Sequence, residues 1–375
     1  NPFEVSYYSV QKDSGIRTLP RLLRDYARIN PDGIAIRQKR YGLWKELTWS
    51  GYENEASCFG HGLKIAGYRR GENVAIISEN RQEWLIAELG MHFIGVVPVG
   101  VYPTSPSNEI LHILKSTDTR GVICEDQEQV DKVLEIIDEL PAIKLIIFIE
   151  GKGLASYDDS RLMSWKQLFD MGLVSSQTDS TFINRRMSEH SPDDVALIIP
   201  TSGSTGPPKP AMISFRNIEF IGQATDQTIG RAASDRVVSY LPLCHVAEQL
   251  FSVFIAMDRG YTANFGESIR TVQQDLRDIA PTIFLGVPRV WEKMRTDILI
   301  AANNAKTVQK VFLKLALREA EHYINPWQKL TPGMRLRRMF WDWLVFRHLR
   351  NALGLTRCRI AISGAAPISK DTLSF

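Results

Sequence analysis

The densest chemistry in the chain lies in Thr201-Ser202-Gly203-Ser204-Thr205-Gly206-Pro207-Pro208-Lys209, where four hydroxyls and two glycines lead into one lysine. Glycines let backbone N–H groups approach anionic oxygens, hydroxyls add donors, and the lysine brings a full positive charge where several negative charges collect. The chemistry these residues suit is phosphate binding. The segment is not a Walker loop, which needs Gly-Lys-Ser/Thr in succession and a helix at once after it. Here Pro208 precedes Lys209, Pro210 follows it, and residues 211–214 read as extended. The same residue types also build flexible surface turns, so composition alone leaves both readings open.

Two further places could meet a ligand. His245 opens a helical pattern just past Leu241-Pro242, where side chains of α/β proteins reach a crevice, although a lone histidine is also a common structural residue. Gly364, Ala365 and Ala366 follow the strand-like residues 359–362, which is a tight strand-to-helix turn. No Ser-His-Asp or Cys-His arrangement has convincing spacing. The four cysteines, Cys58, Cys124, Cys244 and Cys358, lack the close pairs of zinc or redox motifs; they read as free thiols of a reducing compartment, and no metal ligand set is assigned.

The elements that must position these residues alternate. Apolar runs at 73–77, 96–99, 121–124 and 144–149 read as strands, and helical spacing covers 81–95, 108–116 and 127–140. The pattern resumes with strands at 194–199, 237–241, 261–265 and 282–286 and helices at 245–257 and 271–279. Such alternation predicts an α/β fold with parallel or mixed sheets wrapped by helices. Residues 1–72 read largely as a polar lead-in and 151–192 as a polar insert, so two related lobes are expected, 1–192 and 193–375.

The chain has 375 residues, 44% of them apolar, and a formal charge of +3 with both signs interspersed. That balance does not call for a nucleic-acid partner. No apolar run approaches the roughly 20 residues that span a bilayer, and the first residues carry no secretory pattern. A cytoplasmic location is expected, peripheral to a membrane if residues 334–353, rich in Trp, Phe, Leu and Arg, lie on an anionic surface. A packed helix with a solvated basic face is the plainer reading of that stretch.

The loop resembles the Thr-Ser-Gly-Ser/Thr-Thr-Gly-x-Pro-Lys-Gly signature of the acyl-adenylate-forming superfamily. Other segments, in family order, resemble its long-chain fatty-acyl-CoA synthetase branch: Ser78-Glu79-Asn80-Arg81-Gln82-Glu83-Trp84, Tyr102-Pro103-Thr104, Ser239-Tyr240-Leu241-Pro242-Leu243-Cys244-His245, Val287-Pro288-Arg289-Val290-Trp291-Glu292-Lys293 and Ser363-Gly364-Ala365-Ala366-Pro367. The resemblance implies a ligase that consumes ATP with Mg²⁺, makes acyl-AMP from a long-chain fatty acid and passes the acyl group to CoA. It implies that Thr201, Ser202, Gly203, Ser204, Thr205, Gly206 and Lys209 wrap the triphosphate, that His245 orients the carboxylate, and that Gly364, Ala365 and Ala366 lie against adenine. Trp291 is a candidate for the acyl-tunnel lining.

Two residues depart from the pattern. Pro210 stands where the family has glycine, and Phe215 where histidine is usual. The family's aromatic-Gly-x-Thr-Glu and Tyr/Phe-x-Thr-Gly-Asp segments and its small C-terminal domain are expected beyond Phe375, so the chain reads as part of something longer. Two other readings stay open: adenylation of another carboxylate with transfer to a carrier protein, and a nucleotide- or lipid-binding pseudoenzyme.

Overall fold

Strand by strand, the apolar runs from 73 to 199 form a sheet buried on both faces, and the later runs join smaller sheets. The first strands are β1 (Ile34–Arg40), β2 (Leu43–Thr48), β3 (Asn73–Ile77), β4 (Val97–Val101), β5 (Thr119–Cys124), β6 (Leu145–Phe148), β7 (Leu162–Ser164), β8 (Val195–Thr201) and β9 (Lys209–Ser214). After them come β10 (Arg236–Ser239), β11 (Thr262–Phe265), β12 (Ile283–Gly286) and β13 (Ile360–Ser363). The structure is a computed structural model that describes residues 17–201, 206–230, 235–268, 270–323 and 330–375. The chain divides into two units, Asn1–Ala233 with Ser239–Phe265, and Ser234–Val238 with Gly266–Phe375.

In the first unit a seven-stranded sheet runs in the order β7-β6-β5-β3-β4-β8-β9. Every neighbouring pair is parallel except β8 and β9. Side chains alternate faces along a strand, and here both faces are apolar. Val74 and Ile76 join a core with Phe59, Trp84 and Phe93, while Ala75 and Ile77 join another with Val99, Ile113 and Val130. Because β3, β4, β5, β6 and β8 are parallel, their carboxyl ends share one edge. The segments that begin at Ser78 and Tyr102 leave the sheet there, where β8 also ends at Thr201, the edge where ligands of α/β sheets bind. A second, smaller ladder pairs β1 with β11 in parallel and with β2 in antiparallel.

The structure corrects three expectations. Residues 1–72 are not merely a lead-in: they include β1, β2 and the helices Leu19–Ile29 and Trp49–Ile65, which supply Leu23, Trp49, Tyr52 and Phe59 to the core. The polar stretch 151–192 is likewise folded, with β7 and the helices Trp165–Thr178 and Phe182–Ser188. Its buried face is Leu168, Gly172 and Ser175, a helical spacing concealed by two small residues. The Trp165–Thr178 and Trp49–Ile65 backbones approach so closely that a Cβ on Gly172 would stand 1.8 Å from the Cys58 carbonyl oxygen. Finally, the unit boundary does not fall at 192/193, because β8 pairs with β4 and so extends the first sheet.

In the second unit β12 and β13 pair in parallel, Ile283 with Ile360 through Gly286 with Ser363. The buried carboxylate of Asp235 accepts from Thr282 Oγ1 at 2.7 Å and from Arg359 Nε at 2.8 Å, tying the starts of β10, β12 and β13 together. Long helices, Pro288–Asn304, Thr307–Ala320 and Pro332–Trp341, fill the sequence between those strands.

Candidate functional site

The candidate loop is closed by an antiparallel hairpin whose register runs from Val195 opposite Ser214 to Thr201 opposite Lys209. Directly opposed residues of such a pair share a face, so Thr201 and Lys209 stand side by side at the mouth of the loop. Both are exposed, and Thr201 Oγ1 donates to the Lys209 carbonyl oxygen at 2.9 Å. Gly206 has φ of 102°, a value that suits glycine. From the helix Ser107–Ser116, His112 Nε2 donates to the Pro208 carbonyl at 3.0 Å and holds the returning limb. Ser202, Gly203, Ser204 and Thr205 lie outside the described residues.

Pro210 faces Pro200 across the hairpin. As β9 is the last strand of its sheet, the missing N–H sits where proline is tolerated, and Lys209 already has the extended geometry that a following proline demands. Phe215 is buried against two imidazoles: its ring centroid is 6.2 Å from that of His190, nearly parallel, and 5.2 Å from that of His92, edge-on. His92 Nε2 donates to the Ala196 carbonyl at 2.6 Å. Burial pushes both histidines down to about 4, so they are neutral at neutral pH.

His245 belongs to the same unit. It caps the short helix Val246–Glu248, with its Nδ1 accepting from the Ala247 N–H at 3.1 Å. An accepting nitrogen carries no proton, which leaves Nε2–H as the ring group able to meet a ligand. Cys244 beside it is buried, and burial raises its thiol far above the usual range, as it does that of Cys124; burial raises the Cys58 thiol as well. None is an activated thiolate.

In the second unit Gly364, Ala365 and Ala366 form the turn after β13. Its positive φ, 71°, falls on Ala365 rather than on glycine, a conformation that costs an alanine roughly 1–2 kcal/mol and that concentrates at ligand sites. Trp291 packs at the end of β12, donating from Nε1 to the Gly286 carbonyl at 2.9 Å and meeting Phe284 edge-on at 5.2 Å. It also lines a mostly apolar cavity of about 420 Å³ with Met294, Ile298 and Leu349. Among the described residues no group of three or more His, Cys, Asp or Glu side chains is arranged to hold a metal ion, and no helix is long and apolar enough to cross a membrane.

This arrangement can be set beside known proteins. The family described as AMP-binding enzyme matches residues 23–375. The chain belongs to that family. Among curated AMP-binding relatives, the long-chain-fatty-acid–CoA ligase ACSBG2 of Xenopus laevis is 31% identical over 379 residues, covering 97% of this chain and 50% of its own length. The ligase ACSBG1 of Homo sapiens is 28% identical over 355 residues, covering 92% and 48%. The chain thus spans about half the length of the curated relatives it matches. Of solved structures, the N-terminal domain of FACL13 from Mycobacterium tuberculosis superposes with a TM-score of 0.65 at 17% identity, covering 95% of this chain and 72% of that one. The adenylation domain of a carboxylate reductase from Mycobacterium chelonae gives 0.66 at 19% identity, covering 98% and 57%. At such identities these two likenesses speak for the fold.

In this AMP-binding chain, sequence reasoning gave no role to Asn80 or Gln249, yet both touch the turn that carries His245. The signal for Asn80 was its place just past the carboxyl end of β3. Gln249 gave no signal, because a buried glutamine in a helical pattern reads as a surface residue.

Proposed function

We propose that this chain is the part of an ATP-dependent acid–thiol ligase that activates a long-chain fatty acid, first as acyl-AMP and then as acyl-CoA. The observation that carries the reading is the hydroxyl- and glycine-rich loop at the carboxyl end of β8, closed by Thr201 and Lys209, in a chain of the AMP-binding family that is similar to the long-chain-fatty-acid–CoA ligases ACSBG2 and ACSBG1. Thr201, the Ser202-Gly203-Ser204-Thr205 segment, Gly206 and Lys209 would hold the triphosphate. His245 Nε2–H would orient the carboxylate, and Gly364, Ala365 and Ala366 would offer a flat wall to adenine.

The chemistry asks for position and charge rather than a protein nucleophile. A carboxylate oxygen attacks the α-phosphorus, the bond to pyrophosphate breaks, and the mixed anhydride is then attacked by the CoA thiol with AMP leaving. Both partners of the first step are anionic, so donors fixed before the reaction are worth most. Mg²⁺ would arrive on the phosphates of ATP and offset their charge, since such ions commonly keep waters and substrate oxygens as ligands.

Peripheral membrane contact fits a poorly soluble substrate. Its support is a cluster of exposed apolar side chains, Leu336, Met339, Phe340 and Trp343, interleaved with the exposed Arg335, Arg338 and Arg347.

The test is thioester formation by the full protein with ATP, Mg²⁺ and CoA across acids from short to long. Long-chain acyl-CoA is the expected product. ATP binding without thioester from any acid would favour a pseudoenzyme, and acyl-AMP that CoA does not discharge would favour a carrier-protein route.

A further inference from the structure

The turn that presents His245 has almost no backbone ladder of its own, yet its polar groups are claimed one by one. Asn80 Nδ2 donates to the Leu241 carbonyl at 2.6 Å and to Ser239 Oγ at 2.9 Å, and Asn80 Oδ1 accepts from the Leu243 N–H at 2.9 Å. The Leu243 carbonyl accepts from Gln249 Nε2 at 3.0 Å, and the Leu241 N–H donates to Glu248 at 3.0 Å. Within the turn, the His245 N–H donates to the Pro242 carbonyl at 2.9 Å. Leu243 is fully buried, so leaving its N–H or C=O without a partner would be costly.

Two other features press this turn against the sheet edge. Gly100 in β4 leaves little room for a side chain, because a Cβ there would lie 3.0 Å from Cys244 Cα. Gln249 opens a π-helical turn, Gln249–Phe254, a local geometry that recurs at functional sites. Its amide nitrogen also donates to the buried Glu88 at 3.0 Å, which anchors it to the helix Gln82–Ile94.

We propose that Asn80 and Gln249 are positioning residues: between them they hold both polar groups of the Leu243 backbone and thereby fix where His245 stands. The inference rests on the proposed adenylation function and extends it to residues that touch no substrate. Asn80 is suited to the task because its amide carries a donor and an acceptor on one short stem, so a single side chain spans Pro242 and grips the chain on both sides. Aspartate keeps the acceptor for Leu243 and loses the donor for Leu241. Glutamate at 249 loses its donor altogether.

The experiment has two arms, both on the full protein. Hydrogen–deuterium exchange compares wild type with Asn80→Ala and Gln249→Ala; faster exchange at the amides of Leu243, Cys244, His245 and Ala247, with the β3–β4 core unchanged, is expected. Kinetics then compares the same proteins: the KM for acid should rise and kcat/KM for acid should fall by roughly 10–100-fold, the scale of a misplaced group, while the KM for ATP stays within about twofold. Asn80→Asp should fall between wild type and Asn80→Ala, and it carries the test if the alanine variant does not fold. Unchanged exchange in 243–247 overturns the proposal. So does a loss of active protein with both KM values unmoved, which marks a purely structural pair. A wild-type protein with no acid-dependent turnover would instead defeat the adenylation reading, and the exchange arm would still decide whether Asn80 and Gln249 hold the turn.

Discussion

Thr201 and Lys209 meet on the last rung of an antiparallel hairpin, with the threonine hydroxyl on the lysine's own carbonyl oxygen. The rung fixes the point from which the lysine side chain leaves the sheet edge, and exposure leaves its ammonium clear of the core. Lys209→Ala should therefore change stability by less than about 0.5 kcal/mol and lower acid-dependent adenylation by roughly 10²–10³-fold, the range for loss of a charge-stabilising donor. Thermal unfolding and steady-state kinetics check the two halves. A parallel loss of stability and activity would make Lys209 a structural residue.

Pro210 faces Pro200 on the edge of the sheet and fits the extended strand. Replacing it with glycine gives the unfolded chain more freedom, so Pro210→Gly is expected to cost roughly 0.5–1 kcal/mol without raising turnover. An increase in turnover would show that the proline misaims the loop.

Burial raises the Glu88 carboxyl to about 7, against an ordinary value of 4.5. The folded protein keeps a proton there that the unfolded chain has lost, so the linked stability is complete below about 4.5 and disappears as pH rises through 7. Glutamine imitates the neutral form and does not titrate. The Tm of Glu88→Gln relative to wild type should be higher at pH 8 than at pH 5. A difference that does not vary with pH would remove Glu88 from the linkage. His92 and His190 act in the opposite sense: their folded values near 4 lie below the usual 6.5, so their contribution is present above 6.5 and lost as pH falls through 4.

The close approach at Gly172 gives a packing test. Alanine there would force a methyl group to 1.8 Å from the Cys58 carbonyl oxygen, which is backbone and cannot swing aside. Gly172→Ala should destabilise by about 2 kcal/mol or more. Gly67→Ala meets open space and suffers only from its φ of 85°, so it should cost less. Equal effects in chemical denaturation would contradict the packing argument.

Leu336 and Trp343 are exposed at 71% and 63% in an arginine-rich stretch. Sedimentation with anionic vesicles should retain the wild-type protein, and neutral vesicles should retain less. Leu336→Glu with Trp343→Glu should release it. Retention unaffected by these changes would place any membrane contact elsewhere.

What could be read from the sequence follows from how each segment is buried. β3, β4, β5 and β6 are apolar on both faces, so their runs stood out, and the loop after β8 stood out because its hydroxyls, glycines and lysine are crowded together. The helix Trp165–Thr178 was missed because its buried stripe runs through Gly172, which allows the close backbone approach, and Ser175, which meets His61, and neither carries a hydrophobic signal. The unit boundary was misplaced because a polar insert looks like a linker, whereas β8 resumes the same parallel sheet. The His245 turn was visible as a motif, but its support was not, since Asn80 is 163 residues from the Leu243 amide it accepts.

The most direct test of the central claim is acid-dependent exchange of labelled pyrophosphate into ATP by the full protein without CoA, which isolates the first half-reaction. The account predicts exchange that requires a long-chain acid and Mg²⁺ and that falls by orders of magnitude in Lys209→Ala. Exchange absent with every acid despite demonstrated ATP binding, or exchange indifferent to Lys209, would contradict it.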